Sequence, residues 1–340
     1  MGCGVYSPNE YQYIIQKETT LGTPVLTDGG SETALALDVI GIPDITPGAY
    51  RSQNVHNSEG RTAKIGDMKT EPKLNENVVS MTVYVDETTT KYLLENHFAN
   101  AVKSAVGTPA SFDLPWNFSN TVCLGDTDTD WTGTMTFGKV SPVASESEIY
   151  AGMVVDTFVI YADTEDEAGR FKADVSLKSR IVPNLTADGS SWTVTPYPTD
   201  EARYISDLSG ASSVRTIESI EFVMSSIRCD MNSQVKFYGF DVDGDMEEIA
   251  RGIPEFVVNY DVGMKIDGDT KAFKDYILTQ DTLDLEVYNN VWASTTFGFR
   301  SDFCTVRDSF GMEEVQDGAF FTLPLKACAS TSGDVVQIVL

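Results

Sequence analysis

A strand-then-helix stretch that occurs twice constrains this chain more than any other feature. Over residues 77–99, Val79, Met81, Val83 and Val85 alternate with Ser80, Thr82 and Tyr84, and Asp86 ends the alternation. Successive side chains of a strand point to opposite faces, so the four apolar residues share one buried side. The period then changes. Thr88 or Thr89 is placed to cap a helix, Glu87 lies beside the positive end of its dipole, and Leu94, Phe98, Ala101 and Val102 form its apolar face. In residues 256–278, Val258, Tyr260, Val262, Met264 and Ile266 alternate with Asn259, Asp261, Gly263 and Lys265. Asp267 falls opposite Asp86, 181 positions on; Asp269 or Thr270 stands at the cap, and Phe273, Tyr276 and Ile277 give the helix face.

Further echoes keep the same order. Phe112, Leu114, Trp116 and Phe118 alternate after the first helix, and Leu283, Leu285 and Val287 after the second. Thr134-Met135-Thr136-Phe137-Gly138 is answered by Ser294-Thr295-Thr296-Phe297-Gly298, and Phe171, Val175, Leu177 and Lys178 by Phe320, Leu323, Leu325 and Lys326. This order reads as an old tandem duplication. A length of 340 residues suits two domains, each with its own core. The expected boundaries are an N-terminal arm (1–33), a first unit (34–185) with a long loop (47–76), a Pro/Gly-rich linker (186–213) and a second unit (214–340). Strands of six to ten residues with few helices predict a mainly β fold, a sandwich or barrel with one helix per domain.

The formal net charge of -27 argues against tight wrapping of nucleic acid, because phosphate contacts need Lys and Arg. A polyanion would instead be repelled and pass by without sticking. Candidate acidic positions for such a wall are Glu255, Asp261, Asp284 and Glu286. Against this background the polar loop between Pro47 and Pro72 concentrates Arg51, Arg61, Lys64 and Lys69, the charge a contact with an acidic neighbour would use. The five cysteines show no CxxC spacing and read as buried thiols of a reducing compartment. No span of about 18 apolar residues and no basic-then-apolar leader is present, so neither membrane nor secretion is expected.

Asp241, Asp243 and Asp245 alternate as calcium ligands do, but Met246 and Gly252 stand where an EF-hand needs Gly and Glu. A tight hairpin turning at Asp243-Gly244 accounts for the motif equally well. The two histidines, His56 and His97, have no partner at metal or triad spacing, and no nucleophile elbow or phosphate loop occurs. The expectation is a non-enzyme without cofactor.

The lead-in Glu18-Thr19-Thr20-Leu21-Gly22-Thr23-Pro24, the arginine-bearing loop, the strand-helix unit and the β-rich run from Tyr150 together resemble the major tail tube proteins of long-tailed bacteriophages. The resemblance implies tandem tube domains whose sheets join between subunits into a continuous β-barrel, with a helix outside and a loop reaching the next ring. It also implies a virion location after synthesis in the host cytoplasm. The implied partners are further copies of the chain, the tape measure, terminator and distal tail proteins, and genomic DNA passing through the lumen during ejection. With two tube domains per chain, three chains make a pseudo-sixfold ring; if the second domain only decorates the exterior, six are needed. A virion decoration or carbohydrate-binding β-sandwich is the alternative, and it would display clustered aromatics.

Overall fold

The computed structural model describes residues 10–18, 22–24, 34–48, 50–54, 68–74, 76–98, 122–123, 134–143, 145–197, 202–238, 248–250, 257–265, 282–289, 297–307, 312–315, 318–328 and 336–339. Within them the protein is mainly β, with one α-helix. The chain opens with β1 (Gln12–Lys17), β2 (Ala34–Ala36) and β3 (Val39–Thr46). β4 (Tyr50–Asn54) and β5 (Met68–Leu74) then pair with each other. β6 (Asn77–Tyr84) leads into α1 (Glu87–Phe98).

The alternation in β6 fixes its two faces: Val79 and Val83 are fully buried, whereas Ser80 is exposed. Each such buried side chain contributes roughly 1.5–3 kcal/mol. The helix cap differs from expectation. Asp86, rather than Thr88 or Thr89, caps α1: its carboxylate accepts the Thr89 N–H at 2.5 Å and the Thr89 hydroxyl. An ionised oxygen is the stronger acceptor for an orphan helix N–H, which is why it displaces the hydroxyl from that role.

After β7 (Val122–Cys123) and β8 (Met135–Val140) comes β9 (Ser147–Asp163), a 17-residue strand shared by two ladders. Its beginning pairs with β8, and its end, from Val154 to Tyr161, pairs with β10 (Lys172–Ser179). Within the β8-paired part, where the register shifts between Tyr150 and Met153, Gly152 takes φ +63°, a left-handed conformation that glycine adopts without steric cost. Tyr150 through Val155 are buried without alternation, because apolar residues cover both faces: Ala151 and Val154 meet Ile181, Val235 and Phe237, and the others face the main core. β11 (Asn184–Ala187) pairs with β9 opposite β8, and β12 (Val194–Thr195) lies parallel to β2.

The second half holds β13 (Val214–Ile217), β14 (Ile220–Glu221), β15 (Met224–Asn232), β16 (Lys236–Tyr238), β17 (Glu248–Ala250) and β18 (Val257–Lys265). It ends with β19 (Leu283–Tyr288), β20 (Gly298–Val306), β21 (Met312–Val315), β22 (Gly318–Ala327) and β23 (Gln337–Val339). β15 pairs with β18, β18 with β22, and β22 with both β20 and β21. β19 lies between β13 and β20, and β23 closes on β20. All these pairings are antiparallel. In β18, Val258, Tyr260, Val262 and Met264 are buried in the expected phase.

Three expectations about boundaries change. The proposed arm contains a core strand: Ile14 and Ile15 of β1 are both fully buried because β1 has apolar neighbours on each face, a situation period-two patterning does not register. The long loop 47–76 is paired at its ends by β4 and β5. The expected linker is built into the first half, through β11 on β9, β12 on β2 and a bridge between Arg170 and Tyr204. Nor do the halves bury separate cores: one apolar cluster includes Tyr13 and Ile338, and the rings of Phe171 and Phe297 meet edge to face at 4.8 Å across the boundary.

Candidate functional site

The feature that positions the chain for a role is a strand junction. β15 of the second half lies along β9 of the first in unbroken register, from Ser226 opposite Asp163 to Asn232 opposite Thr157. Facing residues of this pair, Phe158, Ile160, Cys229 and Met231, are buried. Asp156 fastens the end of the junction: it ion-pairs with Lys178 at 2.6 Å and accepts the Val235 N–H at 2.8 Å. Arg228 lies over the Tyr161 ring at 5.8 Å and pairs with Asp230 at 2.9 Å. Through this junction a single ladder runs β3, β6, β10, β9, β15, β18, β22 and then β20 with β21.

Among the described residues both ends of that ladder are open. Among the described residues β3 pairs with β6 alone and β21 with β22 alone. An open β edge presents unpaired N–H and C=O groups, which is a template for another strand.

The residues singled out from sequence fall in different places. Asp261 stands on the exposed side of β18 and meets Arg307 at 2.8 Å, next to the Arg228–Asp230 pair. Burial holds the Asp230 carboxyl above its ordinary value, with Arg228 opposing and Asp261 reinforcing the shift. Asp284 and Glu286 belong to β19 and form a separate group with Glu218, Arg300 and Asp302. Burial is the main cause that raises both of their carboxyls. Among the described residues, Asp261 and the pair Asp284 and Glu286 thus lie in two separate groups, each with an arginine partner. Arg51 lies on β4 and Lys69 on β5, while Arg61, Lys64, Glu255, Asp241, Asp243 and Asp245 lie outside the described residues. β16 and β17, on either side of that acidic segment, pair antiparallel, Lys236 with Ala250 and Tyr238 with Glu248. No group of three metal-ligating side chains occurs among the described residues, and no helix there is long and apolar enough to cross a membrane.

One residue that sequence reasoning quoted without assigning a role is Glu18. Its carboxylate is 1% exposed and accepts four hydrogen bonds from three segments. Oε2 takes the Gly22 N–H at 3.0 Å and the Thr134 hydroxyl at 2.8 Å; Oε1 takes the Gly152 N–H at 2.8 Å and the Thr136 hydroxyl at 2.7 Å. It thus pins the lead-in segment to β8 and to the bend of β9. Asn96 and His97 of α1 are also buried; Asn96 accepts the Val155 N–H at 2.7 Å and clasps the helix to β9.

Comparison with known proteins adds no relative: no protein family and no curated protein matches the chain.

Proposed function

We propose that this chain is a structural subunit that joins copies of itself edge to edge into a closed β-walled ring, and that stacked rings form the tail tube of a long-tailed bacteriophage. The observation that carries the reading is the β9–β15 junction, whose two edges have open counterparts at the ends of the chain. The support is a repeated order of pairing. In the first half β1 pairs with β8, β8 with β9, β9 with β10, β10 with β6 and β6 with β3. In the second half β13 pairs with β19, β19 with β20, β20 with β22, β22 with β18 and β18 with β15. Even β11 on β9 has its match in β23 on β20.

On this correspondence β15 is the second copy of β3, and β20 with β21 is the second copy of β9. The link already made inside the chain can then be made again between chains, with β21 of one copy placed along β3 of the next. Closure removes both open ends of this ladder, which is the general reason barrels are stable against further pairing. Two units per chain favour a ring of three chains; six chains is the alternative. The exposed side of the shared ladder, with Asp44, Asp174 and Asp261, becomes the lining past which DNA moves. Asp284 and Glu286, on the other ladder, lie away from it.

The test is particle imaging and native mass spectrometry of the purified chain, alone and with an initiating tail complex. Rings or tubes with three chains per ring are expected. Six chains per ring would overturn the trimer, and a lasting monomer under both conditions would overturn the assembly reading. The rival reading, a glycan-binding module, draws on an open cleft of about 460 Å³ lined by hydroxyls of Ser80, Thr82, Thr157 and Ser176 with Asp44 and Asp174. Saturable glycan binding by such a monomer would favour it.

A further inference from the structure

We infer that the open edge of β3 carries an assembly guard: the bulge Gly41-Ile42-Pro43 interrupts the ladder that would otherwise accept the next copy of the chain. The inference rests on the edge-to-edge reading and adds to it a means of regulation. On β3, Ile40 lies opposite Thr82 and Asp44 opposite Ser80, so three residues face the single Met81. On β15, Ser226 lies opposite Gly263 and Arg228 opposite Asp261, and Ile227 alone faces Val262. β15, which has a partner on both sides, shifts register by one residue between Met224 and Ser226 and is regular from there to Asn232, whereas β3, which has a single partner among the described residues, carries two extra residues in the middle of its ladder.

Three properties make the bulge a barrier to pairing. Gly41 has φ +78°, outside the extended region a ladder needs. Pro43 has no N–H to donate. The outer edge therefore loses the alternation of donors and acceptors over three residues, leaving two short regular pieces, Val39–Ile40 and Asp44–Thr46. The β9–β15 junction, by contrast, is continuous over seven residues, Ser226 to Asn232. Ile42 is 66% exposed and forms part of the wall of the open cleft, so this side chain contributes little to the folded core. Bulges and prolines are common means of protecting exposed β edges against unwanted association.

A bulge that has to be straightened or bridged adds a barrier to pairing in free solution, and an edge already fixed in a growing ring offsets it. The occupant of the guarded edge is the β20–β21 edge of another copy.

The experiment deletes Gly41 and Ile42 and replaces Pro43→Ile, which restores the residue count of β15. Sedimentation velocity measures the concentration at half-association without any initiating complex. The expected result is a fall of at least about tenfold, equal to ~1.4 kcal/mol. A variant with wild-type circular dichroism that keeps the wild-type midpoint, or that no longer associates, overturns the guard. Pro43→Val, which keeps the chain length and restores one N–H, serves where the deletion does not fold. It should move the midpoint in the same direction by less, and an unchanged midpoint overturns the guard. Rings formed by the wild type with no shift in either variant refute the guard alone. Readier association into irregular particles that never close keeps the guard and refutes the ring.

Discussion

Replacing Glu18 tests whether the lead-in segment is held by a buried acceptor rather than by apolar packing. Each carboxylate oxygen receives one backbone N–H and one threonine hydroxyl, and the side chain is almost fully withdrawn from water. The hydroxyls of Thr134 and Thr136 can rotate toward other acceptors; the N–H groups of Gly22 and Gly152 cannot. Glu18→Ala therefore orphans two fixed donors, each costing about 1–3 kcal/mol, so a loss of about 2–6 kcal/mol is expected. Glu18→Gln keeps the volume and one oxygen, and its NH₂ faces one fixed N–H, so about half that loss follows. Against a total stability on the order of 5–15 kcal/mol the alanine variant is close to the unfolding threshold. Urea unfolding followed by circular dichroism measures both changes, with the slope checked for constancy. A loss below about 1 kcal/mol for Glu18→Ala would refute the reasoning, as would a glutamine variant less stable than the alanine one.

Further outcomes follow from the same contacts. Asp86→Ala removes the cap of α1 and should cost about 1–2 kcal/mol, read as a lower urea midpoint at constant slope. Asn96→Ala leaves the Val155 N–H without its acceptor and should cost about 1–3 kcal/mol; an unchanged midpoint would mean that packing alone holds α1 on β9. Asp230, Asp284 and Glu286 have folded-state pKa values raised chiefly by burial. Their stabilising contribution is complete below the unfolded carboxylate value of about 4 and is lost as pH rises through the folded values. Self-repulsion at a formal charge of -27 acts in the same direction, so the melting temperature should fall as pH rises from about 4, the unfolded carboxylate value, through the folded values. Glu286→Gln should flatten that dependence in a thermal melt. A steeper slope would show that Arg300, at 3.3 Å, outweighs the burial of Glu286.

The parts of the fold legible in the sequence are those where one face is buried and the other is not. β6, β10, β18 and β22 all follow a period of two, and their strand phase can be read from Val79, Val175, Val262 and Leu323 alone. β1 escaped that reading for the opposite reason, and in the middle of β9 the β-rich run from Tyr150 was legible but its two faces were not. Ile14-Ile15 and Tyr150 to Val155 are covered on both sides, and continuous burial leaves no period to detect. The short strands β11 and β12 were hidden in a Pro/Gly-rich stretch, because their place depends on which distant edge is open to receive them rather than on their own residues.

The same division applies to the candidate site. The order of the strands, including the return of the β6 phase in β18 181 positions on, is a property of the sequence, since it rests on local side-chain periodicity; the helix expected after β18 lies outside the described residues. Glu18 shows what local patterning cannot supply: nothing in Glu-Thr-Thr-Leu-Gly-Thr-Pro states that donors from residues 22, 134, 136 and 152 converge on one carboxylate. That convergence, the bend of β9 at Gly152 and the seating of β15 along β9 were decided by tertiary structure. Backbone N–H and C=O groups are alike in every residue but proline, so pairing partners are selected by the packing of the whole chain.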